Sequence, residues 1–325
     1  MDVLSDVLRV VRLSAAVYFD FRVSEPLCSQ TPNMSHVGHQ LLPNAAHVIP
    51  FHVILRGHCW VESTETKDPP LDFREGDIVI YPHGHAHAFS THLGDRVPPN
   101  LDLYRQASGQ TLPVLIDRSG LSNPTMRFVC GYLGCDLAPF NPLLEALPSQ
   151  VVCRRPEDGH HIEVDLMQSA LDESELQRPG GEAVLARLSE LIFVRAIRRY
   201  IETLPGHANG WLAGLRDRQI GRALQLMHAN PERDWTVEAI ARECGMSRAL
   251  LTEKFAKVVG HTPMRYLTRW RMQTASTLLA ESDLPIETVA ERVGYRSEAS
   301  FNRAFKSIVG DPPGIWRRLA SRSSL

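Results

Sequence analysis

A pattern of helix, glycine turn and helix occurs twice near the C-terminus of this 325-residue chain. The first copy spans residues 236–255 and the second spans residues 286–305. The turn glycines, Gly245 and Gly294, are 49 residues apart, and an alanine stands four residues before each of them. The small alanine lets two helices cross closely, and the glycine supplies the tight turn between them. Each copy therefore predicts a helix-turn-helix.

The second helix of each copy has an inward face and an outward face. Its inward positions are Leu251 and Phe255 in the first copy and Phe301 and Phe305 in the second. The second helix of a helix-turn-helix lies in the DNA major groove, so the outward positions are candidate DNA contacts. These are Arg248, Ala249, Thr252, Glu253, Lys257, Ser297, Glu298, Ala299, Asn302, Arg303 and Lys306.

Chemistry divides these candidates into readers of bases and contacts to the backbone. Arg303 suits a guanine edge and Asn302 an adenine edge. Lys257 and Lys306 lie further along their helices and suit phosphates. For any single position the alternative is a solvated helix face.

The charge of the chain is divided unevenly. Residues 217–325 carry 17 Lys and Arg against 12 Asp and Glu, a net charge of +5, whereas residues 1–216 carry 18 against 25, a net charge of −7. A basic C-terminal part joined to an acidic N-terminal part fits a DNA-binding domain attached to a domain that does not touch DNA.

Composition sets the expected compartment. We find no apolar run long enough to span a membrane. The stretch from Met1 to Leu13 interleaves Asp and Arg with apolar residues, unlike a signal peptide. We therefore expect a cytoplasmic protein without a membrane partner, in which the six cysteines are thiols.

The stretch from Trp235 to Arg318 resembles the AraC/XylS family of bacterial transcription regulators. The residues that carry the resemblance are both alanine–glycine turns, the segments 260–263 and 310–313, and above all 292–306, RVGYRSEASFNRAFK. The resemblance implies a double reader of promoter DNA, an RNA polymerase partner, and a variable N-terminal domain for effector binding or dimerisation. Glu253 departs from the family, whose members often carry a DNA-friendly residue there, so we expect base readout mainly in the second copy.

The C-terminal part is predicted to be all helical. The expected helices are 217–229, 236–243, 247–258, 264–280, 286–292 and 297–308, with a last turn near 313–320. The long middle helix lies between the two copies and would fix their spacing on DNA.

The N-terminal part is predicted to be mainly β. Apolar, β-prone runs occur at 48–61, 71–81 and 127–133, while the polar stretch 91–124 is expected to be a long surface loop. Gly76, Pro82, Gly84 and His87 follow the second motif of the cupin β-barrel, so residues 15–135 resemble the cupin-type domains of many AraC-type regulators. The fold class is thus α+β, a cupin-like barrel followed by an all-α double helix-turn-helix.

The barrel offers a candidate site for a small-molecule effector and a metal. The effector pocket is assigned to His52, Ile54, Tyr81 and His87, since alternation along the strand turns His52 inward. Imidazole and thiolate suit Zn, and the candidate ligands are His52, His83, His87 and Cys130, which Cys135 could join. The alternative is that these side chains line the pocket or lie in the core, and no cofactor is required.

Two other functions remain open at this point. A metal- or redox-sensing regulator would use His and Cys in the barrel, and a redox sensor needs an exposed cysteine of low pKa. A cupin enzyme with an appended DNA-binding domain would need a fuller metal set in the first cupin motif. The chain has only His52 there, so we predict no catalytic residues and no enzyme.

The middle of the chain is predicted to be helical and to support a homodimer. The stretch 181–204 places apolar residues at helical spacing, which indicates either a core helix or a dimer seam. The best linker candidate is 205–210, rich in Gly and Pro. The predicted domains are the barrel at 1–140, the helical dimerisation segment at 141–210, and the DNA-binding domain at 211–325. Either activation or repression of the target genes is compatible with this organisation.

Overall fold

The computed structural model of the chain describes residues 2–11, 13–24, 26–43, 45–107, 114–120, 124–135, 140–155, 162–175, 179–206 and 208–323. They form two compact units. One unit contains the described residues within Leu13–Asp136 and Leu147–Thr203 and is called the barrel unit here. The other contains those within Met1–Arg12, Leu137–Ala146 and Leu204–Leu325 and is called the helical unit.

The barrel unit is built from two β-sheets. Its strands are β1 Ser14–Val23, β2 Cys28–Thr31, β3 His47–Arg56, β4 His58–Ser63, β5 Leu71–Arg74, β6 Ile78–Ile80, β7 His87–Ser90, β8 Val114–Arg118, β9 Met126–Cys135 and β10 Val151–Cys153. The larger sheet has the order β10-β6-β3-β9-β1-β8 and the smaller has the order β2-β7-β4-β5. Side chains from both sheets form one buried cluster, which includes Phe21, Phe128 and Tyr132 from the larger sheet and Phe73 and Phe89 from the smaller.

Helices complete the two units. In the barrel unit they are α2 Met34–Leu41, α3 Leu101–Ala107, α5 Ile162–Glu175 and α6 Gly181–Thr203. In the helical unit they are α1 Val3–Val11, α4 Pro142–Ala146, α7 Trp211–Arg216, α8 Arg218–Ala229, α9 Val237–Glu243, α10 Arg248–Val259, α11 Pro263–Glu281, α12 Ile286–Arg292, α13 Glu298–Val309 and α14 Pro313–Ser323. The helices predicted after residue 217 are confirmed to within a few residues, as is the predicted fold class.

The stretch 91–124 was expected to be a loop, and this prediction is wrong in part. Helix α3 begins after Asn100, whose side chain accepts a hydrogen bond from the Asp102 N–H at 3.1 Å. Its Tyr104 is buried, and β8 pairs in parallel with β1 along Phe19–Val23. Burial of a few apolar side chains outweighs the polar, loop-like composition of the segment. Residues 108–113 and 121–123 of the predicted loop lie outside the described residues.

The compact units do not follow the boundaries expected at 140 and 210. Helix α1, at the start of the chain, packs on α8 and α11 of the helical unit, and α4 packs on α7. The strand β10 lies in the segment 141–210 that was expected to be helical, and it pairs with β6 of the larger sheet. Sequence proximity to the barrel therefore does not decide which unit a segment joins. Within the predicted linker 205–210, His207 lies outside the described residues.

The two helix-turn-helix glycines are in different surroundings, although both have the positive φ that favours glycine. Gly245 has φ +64°, and a Cβ added there meets no atom within 4 Å. Gly294 has φ +82°, and a Cβ added there would lie 2.7 Å from the Glu232 carbonyl oxygen. The second turn is thus both left-handed and closely packed.

Alanine substitutions at the two glycines are predicted to differ in cost. Gly245→Ala should lower the free energy of unfolding by about 1 kcal/mol, because only the left-handed backbone is penalised. Gly294→Ala should lower it by about 3 kcal/mol or more, because a backbone clash is added. Urea unfolding followed by far-UV circular dichroism measures both, and equal losses would contradict the packing described for Gly294.

Candidate nucleic-acid interface and barrel interior

The second helix of the first helix-turn-helix, α10, presents a mixed-charge face. Ser247 caps it by accepting a hydrogen bond from the Leu250 N–H at 3.2 Å. Leu251 and Phe255, on the inward side of the helix, are fully buried. Of the predicted contacts, Thr252 is half-buried and the others are exposed: Arg248, Ala249, Glu253 and Lys257. The Arg248 guanidinium lies 2.9 Å from the Glu238 carboxylate on α9, so part of its charge is already neutralised.

The corresponding helix of the second copy, α13, also carries two basic and one acidic side chain among its predicted contacts. Ser297 caps it, and Phe301 and Phe305 are fully buried beneath it. The exposed predicted contacts are Ser297, Glu298, Ala299, Arg303 and Lys306. No acidic group of the described residues pairs with Arg303.

Asn302 is the one predicted contact on α13 that is half-buried. Its Nδ2 lies 3.4 Å from the Glu298 Oε1, and its Oδ1 is buried without a hydrogen-bond partner among the described residues. An amide in this position must turn outward before it can pair with an adenine edge. Of the two residues predicted to read bases, Arg303 is therefore the more exposed.

Arg271 on α11 bridges the two copies, and sequence reasoning missed it. Its Nε donates to the Pro231 carbonyl at 2.7 Å and its Nη2 donates to the Arg233 carbonyl at 2.8 Å, both just before the first copy. The same guanidinium lies against the turn of the second copy at Gly294. Burial lowers the pKa of this guanidinium. One side chain thus ties both copies to the helix between them, and an arginine inside a helical pattern gives no sequence signal for this role.

A second arginine of α11 is held by the segment between β9 and β10. Arg269 lies 2.7 Å from the Glu145 carboxylate and 3.9 Å above the Phe140 ring. One turn further along α11, the Gln273 side chain accepts a hydrogen bond from the Phe140 N–H at 2.8 Å. Phe140 and Glu145 come shortly after β9 in the chain, so the end of β9 is covalently close to a segment that is anchored on α11.

Three of the predicted metal ligands meet inside the barrel unit. His52 on β3 and Cys130 on β9 face each other in the register of the sheet, with 2.9 Å between Nδ1 and Sγ. The Nε2 atoms of His52 and His87 are 2.7 Å apart. Both histidines are fully buried.

The hydrogen bonds determine how the protons are arranged. The His87 Nδ1–H donates to the His85 carbonyl at 2.8 Å, which leaves Nε2 of a neutral His87 as an acceptor. His52 then donates from Nε2, and its free Nδ1 accepts from the Cys130 thiol. Burial lowers the pKa of His87 to about 3 and that of His52 well below its usual value. The three side chains are satisfied as a neutral chain of hydrogen bonds.

The remaining candidate ligand lies apart from this chain. The His83 Nε2–H donates to the Leu147 carbonyl at 3.0 Å. Across the described residues, no group of three or more His, Cys, Asp or Glu side chains is arranged to hold a metal ion. The Zn site stays a prediction, and the present arrangement of His52 and His87 meets its hydrogen-bonding needs without a metal.

The thiols of the barrel are buried rather than activated. Burial raises the pKa of Cys59 to about 12 and that of Cys130 well above its usual value. The pKa of Cys28, at the rim of the barrel, is also raised, mainly by burial. A raised pKa lowers the thiolate fraction, which is the reactive form of a cysteine.

A cavity of about 220 Å³ lies in the barrel unit. Cys130 forms part of its wall together with aromatic side chains. The predicted pocket residues, by contrast, are packed in the core next to it: His52, Ile54, Tyr81 and His87 are 0–1% exposed and are not among the described lining residues. Sequence alternation correctly placed His52 inside, but it could not say which interior space stays open.

The fold and the two exposed recognition helices define a DNA-binding transcription regulator with an N-terminal cupin domain. A cupin family model matches residues 2–202, and a helix-turn-helix domain model matches residues 215–319. The chain belongs to the AraC-type family of transcription regulators. No helix among the described residues is long and apolar enough to span a membrane.

Several relatives share most of the chain. A protein of Streptomyces lividans described as an AraC-like transcription regulator is 31% identical over 85% of this chain and 88% of its own length. The HTH-type transcriptional regulator AlkR of Acinetobacter baylyi is 30% identical over 82% of this chain and 87% of its own. The RCS-specific HTH-type transcriptional activator RclR of Escherichia coli is 32% identical over 68% of this chain and 75% of its own.

The buried histidines predict a loss of stability in acid. In the folded protein His87 stays neutral down to pH 3 or so, whereas in the unfolded chain it takes up a proton below about pH 6.5. The unfolded state then binds more protons, so stability is lost as the pH falls below 6.5, by about 1 kcal/mol per pH unit for each such histidine.

Urea unfolding between pH 6.5 and 5 measures this slope. His87→Asn should make the slope about 1 kcal/mol per pH unit shallower, whatever its effect on stability at neutral pH. His36→Asn is the matched control, since His36 is exposed on α2 and its replacement should leave the slope unchanged. Equal slopes in the wild-type protein and His87→Asn would show that His87 is not held neutral.

Proposed function

We propose that this regulator reads bases mainly with its second helix-turn-helix and uses the first for orientation and phosphate contacts. The observation that carries the proposal is Arg303, exposed and without an acidic partner among the described residues, on a helix fixed by two buried phenylalanines. In the first copy, Arg248 is engaged by Glu238, and Glu253 adds an exposed negative charge that disfavours phosphate. A carboxylate in that position can accept from the amino group of cytosine in the major groove.

We further propose that the protein acts as a homodimer through α6. The buried side of this helix carries Phe193, Ala196 and Ile197. Its other side exposes Val184 and Leu191, which are seven residues apart and so lie on one face of the helix. Two large exposed apolar side chains on one stripe fit a helix seam between two copies.

Regulation is proposed to come from an effector bound in the barrel unit, with RNA polymerase as the second protein partner. An effector shifts promoter occupancy only if it binds the two states of the protein with different affinity. The segment Phe140–Glu145, anchored on α11 shortly after β9, supports coupling of the barrel to the DNA-binding helices. The barrel binds its ligand without converting it, because His52, His87 and Cys130 are hydrogen-bonded to one another. The protein acts on promoter DNA in the cytoplasm.

Arg303→Ala tests the assignment of base readout. It should weaken binding to the specific site by about 1–3 kcal/mol and reduce discrimination against other sequences, because the guanine contact is lost. Lys306→Ala should instead weaken binding to all DNA sequences nearly equally and make the affinity less dependent on salt, as expected for a phosphate contact. Footprinting and fluorescence anisotropy on a promoter fragment measure both effects.

Lys67→Ala removes one exposed positive charge from the barrel unit and is the control for net charge. It should leave the specific affinity unchanged. Unchanged protection of the promoter by Arg303→Ala would refute the assignment of Arg303.

Leu191→Glu tests the helix seam. A charge at the centre of an apolar contact should convert the dimer to a monomer at micromolar concentration, as measured by sedimentation velocity. Thr203→Glu, at an exposed position on another face of the same helix, is the matched control and should leave the dimer intact. A wild-type protein that sediments as a monomer, or a Leu191→Glu protein that remains a dimer, would rule out this seam.

A further inference from the structure

The cavity of the barrel unit is walled mainly by aromatic rings. Six of them line it: Phe19, Phe21, Phe89, Phe128, Tyr104 and Tyr132. Its volume of about 220 Å³ exceeds the roughly 150 Å³ at which an apolar cavity already accepts a benzene ring. The space is thus the size of one substituted aromatic ring.

The rings are packed against one another, which keeps the cavity open. Phe128 stacks between Phe21 and Phe89, with centroid distances of 4.8 and 5.3 Å. Phe19 meets Tyr104 and Tyr132 edge-on, each at 5.9 Å. A side chain held by two or more ring contacts resists collapse into the empty space, so the cavity can accept a flat ligand with little rearrangement.

The buried polar groups of the cavity include three hydroxyls, which come from two strands and a helix. Tyr104 on α3 and Tyr132 on β9 place their hydroxyl oxygens 3.5 Å apart, the long limit of a hydrogen bond. Thr31 on β2 lines the same cavity as both tyrosines. All three side chains are buried. A ligand hydroxyl or carbonyl could complete hydrogen bonds that these groups make only weakly with each other.

The cavity offers little to a charged ligand. Arg118 is the one charged side chain among its described lining residues, and it is exposed at the rim. The Cys130 thiol donates a hydrogen bond to the neutral His52, and burial raises the pKa of Tyr104 and Tyr132, so the inner wall is uncharged. Burying an unpaired carboxylate or ammonium against such a wall is costly.

We propose that this cavity binds a small, uncharged aromatic molecule that carries one hydroxyl or carbonyl group. The ring lies among the phenylalanines, and its polar group bonds to the hydroxyls of Thr31, Tyr104 and Tyr132. This inference rests on the proposed function, because it names the chemical class of the effector. It moves the effector site from His52, Ile54, Tyr81 and His87 to the aromatic wall beyond Cys130.

The entrance lies under the segment that runs into α3. Val97, Pro98 and Asn100 belong to the lining, and Pro98 and Asn100 are exposed. Leu103 on α3 faces the cavity, whereas Leu101, two residues earlier, is 41% exposed and is not among the described lining residues. The two leucines offer a matched pair for a test of occupancy.

The test uses the full chain and fluorine NMR of three probes. We expect saturable line broadening of 4-fluorophenol, weaker binding of 4-fluorotoluene by about fivefold for the lost hydrogen bond, and no binding of 4-fluorobenzoate. Equal or tighter binding of 4-fluorobenzoate would overturn the uncharged-ligand assignment. Absence of saturable broadening with both uncharged probes would overturn the site itself.

Two variants locate the binding. Leu103→Trp fills the cavity and should weaken the binding of 4-fluorophenol by about tenfold or more. Leu101→Trp should leave that binding unchanged. Thr31→Val removes one hydroxyl and should weaken 4-fluorophenol about fivefold without changing the binding of 4-fluorotoluene. If circular dichroism shows that Leu103→Trp does not fold, Thr31→Val decides the question alone. Unchanged 4-fluorophenol binding in the folded variants overturns the site.

Promoter binding, measured by anisotropy on the same samples, separates this inference from the proposed function. If the protein binds its promoter but neither uncharged probe, the cavity proposal is wrong and the DNA-binding assignment stands. If instead 4-fluorophenol binds saturably and in a Leu103-dependent way, but the protein does not protect its promoter, the ligand class is supported. The same result counts against the proposed mode of regulation.

Discussion

Both recognition helices depend on the attachment of their two copies to α11. This helix contributes buried side chains to the core of the second copy, among them Met272, Ala275 and Leu279. Its Arg271 donates hydrogen bonds to the carbonyls of Pro231 and Arg233 before the first copy and lies against Gly294 in the second. Since the major-groove faces of DNA repeat at a fixed distance, the rigidity of this one helix determines whether both copies can engage at once.

The same helix also contacts the segment between β9 and β10. Phe140 and Glu145 hold Arg269 by a cation–π contact and an ion pair, and Gln273 holds the backbone of Phe140. Helix α1, which precedes the first barrel strand, packs on α8 and α11 as well. The helical unit therefore contains a chain segment before the first barrel strand and another between β9 and β10. It is not formed by the C-terminal residues alone.

Inside the barrel, the lack of charge is the organising property. His52, His87 and Cys130 satisfy one another as neutral groups, and the cavity beyond Cys130 is walled by rings and hydroxyls. A site of this kind discriminates by shape and by a single hydrogen bond rather than by ion pairing.

The sequence by itself determined the helices that follow residue 217, because the signals there are local. The spacing of Ala, Gly and inward aromatic residues within 20 positions is enough to predict the helices, the turns and the outward faces that include Arg303. Helix α3 and strand β8 were missed, because their formation depends on burial against distant strands rather than on local propensity. Only the tertiary structure decided that His52 meets Cys130, that Arg271 joins the two copies, and that a cavity stays open among the aromatic rings. Each of these depends on contacts between residues far apart in the chain, whose register and packing no local pattern records.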